Sequence, residues 1–187
     1  MQKLLFLLFA FCVSTSVFAQ NDSIKNSNLL IKVGVSNNFF DDEDKLSIPH
    51  ISARYERQLN QNIWLGGDAG FTSSKSMIYR FFGDKYFYRK NYISISVNAS
   101  YYLDMIPLDF IDFYAGLGVG YKFGHSKFVG EGELSGFDEN PYPAISGVIY
   151  SVSFQGRYKI KNHLYAFAEI GLGYLPLSFG FVHNFKL

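Results

Sequence analysis

Cysteine is almost absent: the 187-residue chain has one, Cys12, and it falls inside an N-terminal apolar stretch. With no cysteine beyond that stretch, the rest of the chain can hold neither a disulfide framework nor a thiolate nucleophile or metal ligand. A lipoprotein signal would need a small residue before its cysteine, and Phe11 stands there. Charge of one sign is also missing, the formal net charge being +1. No basic stripe marks a nucleic-acid partner. Long apolar runs are lacking as well. The run Leu4–Val13 is the longest, short of the ~20 residues that a membrane-spanning helix needs.

That run has another use. The opening MQKLLFLLFAFCVSTSVFA places Lys3 before an apolar core and small residues, Val17 and Ala19, at the −3 and −1 positions of a cleavage site. Residues 1–19 therefore read as a signal peptide, 20–28 as a polar periplasmic spacer, and 29–187 as one folded domain. The conspicuous presence is aromatic: 14 Tyr and 20 Phe, with 17 Gly. Abundant Tyr, Phe and Gly without a long apolar run suit membrane strands, in which apolar and polar residues alternate.

Period-2 alternation recurs in eight segments. They lie at about 29–38, 48–59, 63–72, 92–103, 113–123, 147–160, 164–174 and 178–187. In the fourth, Ile93, Ile95, Val97, Ala99 and Tyr101 alternate with Ser94, Ser96, Asn98 and Ser100. In the fifth, Phe113, Ala115, Leu117, Val119, Tyr121 and Phe123 alternate with Gly116, Gly118, Gly120 and Lys122. Asn60–Asn62 and Lys161–His163 are tight turns, whereas 39–47, 73–91 and 124–146 are long. Asp104–Asp112 is a somewhat longer turn. Short turns at one end and long loops at the other are the asymmetry of an outer-membrane barrel, which the short outer connection around Leu175–Leu177 breaks. The expected fold is an all-β, eight-stranded antiparallel up-and-down transmembrane β-barrel.

Alternation alone also fits a soluble secreted ligand-binding barrel with its apolar face inside. The polar face decides between the two. It is mostly Ser, Gly and Asn, which can fill a narrow eight-stranded lumen, and lacks the many Lys and Glu of a watered surface. With the apolar face turned to lipid, aromatics fall near both ends: Phe71, Tyr121, Phe123, Tyr150, Tyr174 and Phe179 on the outer side, Tyr101, Phe113, Tyr158 and Phe185 toward the periplasm. The polar face carries Arg54, Glu56, Asp68, Lys122, Arg157 and Glu169. The tight turns place Arg54 opposite Asp68 and Gln155 opposite Glu169, with Arg157 diagonal to Glu169. These charges are expected to pair and plug the lumen.

The 73–91 segment is aromatic and basic, with Gly83-Asp84 as a two-residue turn. Strands three and four can continue through it as a protruding ribbon carrying Arg80, Phe81, Phe82, Tyr86, Phe87, Tyr88 and Arg89, with Lys90 beside them. This is the candidate surface for an extracellular protein, by strand addition, or for lipopolysaccharide phosphates. The acidic cluster at residues 41–45 (DDEDK) could attract a divalent cation but lacks the spacing of an EF-hand calcium loop, and reads as a solvated acidic loop. A lipid-A-modifying enzyme would need Ser, His and an acid together, and adjacent His125 and Ser126 on a strand point to opposite faces. No catalytic residue, metal ligand or cofactor is expected.

The stretch Tyr114–Tyr121 (YAGLGVGY), the similar Ala168–Tyr174 (AEIGLGY) and the closing Phe179–Leu187 resemble the outer-membrane β-barrel domain family, the OmpA/OmpX-like and PorT-like porin family of Bacteroidota. The resemblance covers essentially all of the chain after residue 28. It implies an outer-membrane barrel with a role in envelope integrity, adhesion or secretion. The chain is separately expected to be a monomeric, multi-pass barrel of a Gram-negative outer membrane, in contact with outer-membrane lipid and lipopolysaccharide. One departure is the last residue, Leu187, where such chains usually end in Phe.

Overall fold

The computed structural model describes residues 26–35, 44–81, 84–104, 110–130 and 144–186. The expected signal peptide, the start of the spacer, residues 41–43 of the acidic cluster, Phe82 and Leu187 lie outside them. The strands are β1 (Asn26–Val35), β2 (Asp44–Gln58), β3 (Ile63–Phe81), β4 (Asp84–Tyr102), β5 (Ile111–Gly130), β6 (Gly147–Lys161), β7 (Leu164–Gly173) and β8 (Leu177–Lys186). Each pairs antiparallel with the next. β8 returns to β1 from Asn26↔Lys186 to Val35↔Leu177, which closes the barrel. Asn26–Asn28, expected in the spacer, are part of that closing ladder.

The faces are inverted relative to a soluble barrel. Ile95 and Leu117 are 56% and 63% exposed on the outside, while Ser94, Asn98 and Ser100 are buried inside. The same holds around the ring, from Leu29 and Ile31 on β1 to Phe179 and Phe181 on β8. The soluble-barrel alternative required those apolar side chains at the centre. A ring of Ile, Val, Leu and Phe facing outward is stable only against hydrocarbon.

Local chemistry sets the turns. Asn60 Oδ1 accepts from the amides of Asn62 (3.0 Å) and Ile63 (2.8 Å), closing the β2–β3 turn with a side chain. Interior glycines make room: a Cβ on Gly118 would run into Asn98 Oδ1 and Ser151 Oγ, and one on Gly70 into the His50 ring.

Strand lengths are unequal. β1, β7 and β8 have ten residues each, enough to cross a bilayer once at a steep tilt. β3, β4 and β5 have 19, 19 and 20. Their ladders continue past the rim, from Ser73↔Asn91 to Phe81↔Asp84 and from Asn91↔His125 to Tyr86↔Gly130. The expected 73–91 loop is therefore strand throughout its described residues; 124–130 joins it on one side, and Asp44–Leu46, expected in the 39–47 loop, pairs with Ser74–Ser76 at its base on the other. Aromatic residues that favour a pleated surface carry the ladder upward. Asp84, expected in the Gly83-Asp84 turn, is instead in the ladder, paired with Phe81.

One aromatic departs from the expected outward girdle. Tyr174 is 8% exposed and turned inward. The preceding Gly173 has φ +105°, a left-handed conformation that ends the β7 alternation and reverses the next side chain. The other girdle residues stay on the outer face. Phe71, Tyr101, Tyr121, Phe123, Tyr150, Tyr158 and Phe179 are exposed, and Phe113 and Phe185 are half-buried against Phe154 and Tyr55.

A charge placed mid-height on the outer face measures the inversion. Val97 lies between Gly67 and Val119, far from both rims. Val97→Arg is expected to lower unfolding stability in lipid vesicles by about 2–4 kcal/mol, read from the urea midpoint. Gly173→Ala is expected to cost about 1–3 kcal/mol by the same assay, because alanine must hold a strained φ.

Candidate functional site

The lumen is filled by a cross-barrel charge network, and the register builds it. Arg54 on β2 lies opposite Asp68 on β3, as the turn implied, and its Nε donates to Asp68 Oδ2 at 3.3 Å. Gln155 on β6 faces Glu169 on β7, and its Nε2 donates to Glu169 Oε2 at 3.4 Å.

Longer links come from curvature. Arg54 Nη1 reaches Glu56 Oε1 (3.5 Å) on its own strand and Glu169 Oε2 (3.4 Å) on β7. Arg157 on β6 does not take the expected diagonal to Glu169. Its Nη2 crosses to Glu56 Oε2 at 2.8 Å, its Nε donates to Gln155 Oε1, and its guanidinium lies 4.0 Å from the centre of the Tyr114 ring. Ser100 Oγ donates to Glu56 Oε1 (3.4 Å) and Ser178 Oγ to Glu169 Oε1 (3.3 Å).

A sixth ion completes the set. Lys32 on β1 places Nζ 2.7 Å from Asp68 Oδ2 and is almost fully buried. The sequence reading missed it. The signal was available, because Lys32 occupies the alternate positions opposite Leu29, Ile31 and Val33. With Lys32 included, three cations (Lys32, Arg54, Arg157) face three anions (Glu56, Asp68, Glu169), and the network is neutral as a unit. That balance lets so many charges be taken out of water, since each ion keeps an oppositely charged neighbour and hydrogen bonds fill its remaining valences.

Lys122, expected in this set, faces the lumen higher up. Its Nζ sits 4.8 Å from the Tyr92 ring centre and 5.7 Å from that of Tyr174. One wall of the lumen is apolar, formed by Leu30, Val182 and Phe167. Above the ions, His50 is 1% exposed, edge-on to Tyr174 at 5.3 Å. Both of its ring nitrogens and Ser52 Oγ lack a hydrogen-bond partner among the described residues. His50 lines a small cavity of about 20 Å³, room for a single water, with Lys32, Asp68, Ser94 and Asn98 among its other walls.

On the ribbon, Arg89 is exposed as expected, but Tyr88 is not a surface residue. It is buried on the inner face, its ring 5.3 Å from that of Phe128 on β5. The third strand, absent from the sequence reading, provides that cover. The side chains of Arg80, Phe81, Tyr86 and Phe87 lie outside the described residues. His125 and Ser126 fall on opposite faces of β5, the former exposed.

No protein-family model and no curated protein matches the chain. Solved structures similar to it include a barrel from "De novo design of transmembrane beta-barrels", at 9% identity and TM-score 0.46, over 89% of this chain and 98% of that one. Another is Ail, the attachment invasion locus protein of Yersinia pestis, in complex with the heparin analogue sucrose octasulfate. It has 13% identity and TM-score 0.44, over 87% of this chain and 99% of that one. A further Ail structure has 10% identity and TM-score 0.41 over the same shares.

The network predicts unequal costs for its members. Arg54→Ala removes the one cation within reach of all three anions and is expected to destabilise the folded barrel by about 3–5 kcal/mol. Lys32→Ala leaves Asp68 its Arg54 partner and should cost distinctly less. The unfolding midpoint of the heat-resistant gel band ranks the two, and the opposite order would displace Arg54 from the centre of the network.

Proposed function

We propose that this chain is a non-enzymatic outer-membrane barrel with a plugged interior, serving envelope integrity or surface interaction through its outer extension. The observation that carries the reading is the combination of an outward apolar belt with a lumen closed by a neutral ion network. Such a molecule belongs in a bilayer and does not conduct solutes. The N-terminal signal sequence supports export, and strand-spanning proteins of this kind reside in the outer membrane of Gram-negative cells. The YAGLGVGY and AEIGLGY stretches support placing it with the OmpA/OmpX-like and PorT-like set.

The extension of β3, β4 and β5 is the part free to meet a partner. A sheet standing above the membrane can bind an extracellular protein by strand addition or rest on lipid headgroups. Against a lipid-A-modifying role stands the separation of His125 from Ser126 on opposite faces. The expected partners are outer-membrane lipid and lipopolysaccharide, with the chain a monomer.

Fractionation tests the reading. The protein is expected in the outer-membrane fraction, with a folded band that shifts mobility on boiling. Recovery in the soluble periplasm or medium would defeat it. Deleting 77–90 is expected to leave that folded band intact while abolishing surface binding, and unchanged lipid A mass spectra with and without the protein are expected for a non-enzyme.

A further inference from the structure

One buried polar side chain stands beside the ion network without belonging to it. His50 projects from β2 into the lumen and is almost wholly enclosed. Its ring lies over Gly70 on β3, so close that a Cβ there would strike the Nε2–Cε1 edge. Tyr174, just beyond β7, meets the ring edge-on. Neither ring nitrogen has a hydrogen-bond partner among the described residues. Buried polar groups are rarely left in that condition. An apolar ring would fill the same space without leaving a nitrogen unmatched.

The cavity beside His50 has the size and the walls to supply a partner. At about 20 Å³ it admits one water-sized molecule. Lys32 on β1, Asp68 on β3 and Ser94 and Asn98 on β4 line it, and all four are buried. A bound water takes about two to four polar partners, and these walls offer both donors and acceptors. Charge argues against an ion as the guest. Two cations, Lys32 and Arg54, line the cavity together with two anions, Asp68 and Glu169. The network they belong to is neutral, so a small cation or anion would carry an unbalanced charge into a low-dielectric interior. Hydrogen bonding points the same way. A neutral imidazole has one N–H donor and one acceptor nitrogen. A halide can only accept and a metal cation can only take a lone pair, whereas water answers whichever nitrogen faces it.

We propose that His50 and the polar wall beside it form a binding site for a single water molecule, which joins the imidazole to the ion network. The water then belongs to the folded lumen, extending its polar core from the six ions up to His50 and holding the ring over Gly70. The site is independent of what the outer extension binds.

The test uses the chain folded in uncharged detergent micelles. A cross-relaxation peak between water and a His50 ring proton is expected, with the sign given by a water that tumbles with the protein. Relaxation dispersion of the water signal counts the long-lived internal waters. His50→Phe keeps a ring over Gly70 but removes both nitrogens, and is expected to lower that count by one. His50→Gln keeps a donor and an acceptor, and is expected to retain the wild-type count. The thermal midpoint of the heat-resistant band is expected to be the same in chloride as in gluconate at equal ionic strength. Absence of the water peak, an unchanged count in His50→Phe, the same loss in His50→Gln as in His50→Phe, or a midpoint raised by chloride overturns the proposal. If His50→Phe fails to fold, the peak at the wild-type ring decides. Each of these outcomes can arise in a protein that fractionates with the outer membrane, so the water site can fail while the outer-membrane reading stands.

Discussion

A backbone amide or carbonyl left unpaired in hydrocarbon costs several kcal/mol, and every other feature of this barrel is arranged around that cost. A sheet of seven or eight open strands would expose two bare edges to lipid. The ladder from Asn26↔Lys186 to Val35↔Leu177 removes both. Closure at eight strands then fixes a narrow interior, and the interior dictates what can occupy it. The polar side of each strand is therefore rich in Gly and Ser, with Gly118 beside Asn98 and Ser151, and Gly70 beneath His50.

Within that space six ions form one network whose charges cancel. Desolvating any one alone would be prohibitive. Together they act as a polar core, with Arg54 linking Asp68, Glu56 and Glu169 and Arg157 tying β6 to β2 across the lumen. The lumen of this barrel thus replaces a soluble protein's apolar core, and the apolar wall of Leu30, Val182 and Phe167 is a minor part of it. The same links tie opposite walls of the barrel together across the lumen.

The outer extension follows a different logic. Above the rim the constraint of lipid ends, and three strands run on where the sequence keeps supplying aromatic and basic residues. The sheet there can bury Tyr88 against Phe128 on one side while Arg89 and Lys127 face outward on the other.

Strand number, alternation and inverted polarity were legible in the sequence, because a period of two and the contrast between Ile93–Ile95–Val97 and Ser94–Ser96–Asn98 are local properties. So were the pairings Arg54↔Asp68 and Gln155↔Glu169, since a tight turn sets the register of the strands it joins. Links across the lumen were not. Arg157 to Glu56 and Arg54 to Glu169 depend on curvature and shear, which belong to the closed ring and to no pair of strands. Lys32 could have been found by parity alone. Tyr174 could not, because one left-handed residue, Gly173, reverses its side and the strand pattern does not announce that reversal. The alternation of the chain by itself thus determined which face of each strand is apolar. Only the tertiary closure decided which charges meet, because distance across a barrel is set by its circumference and not by position along the chain.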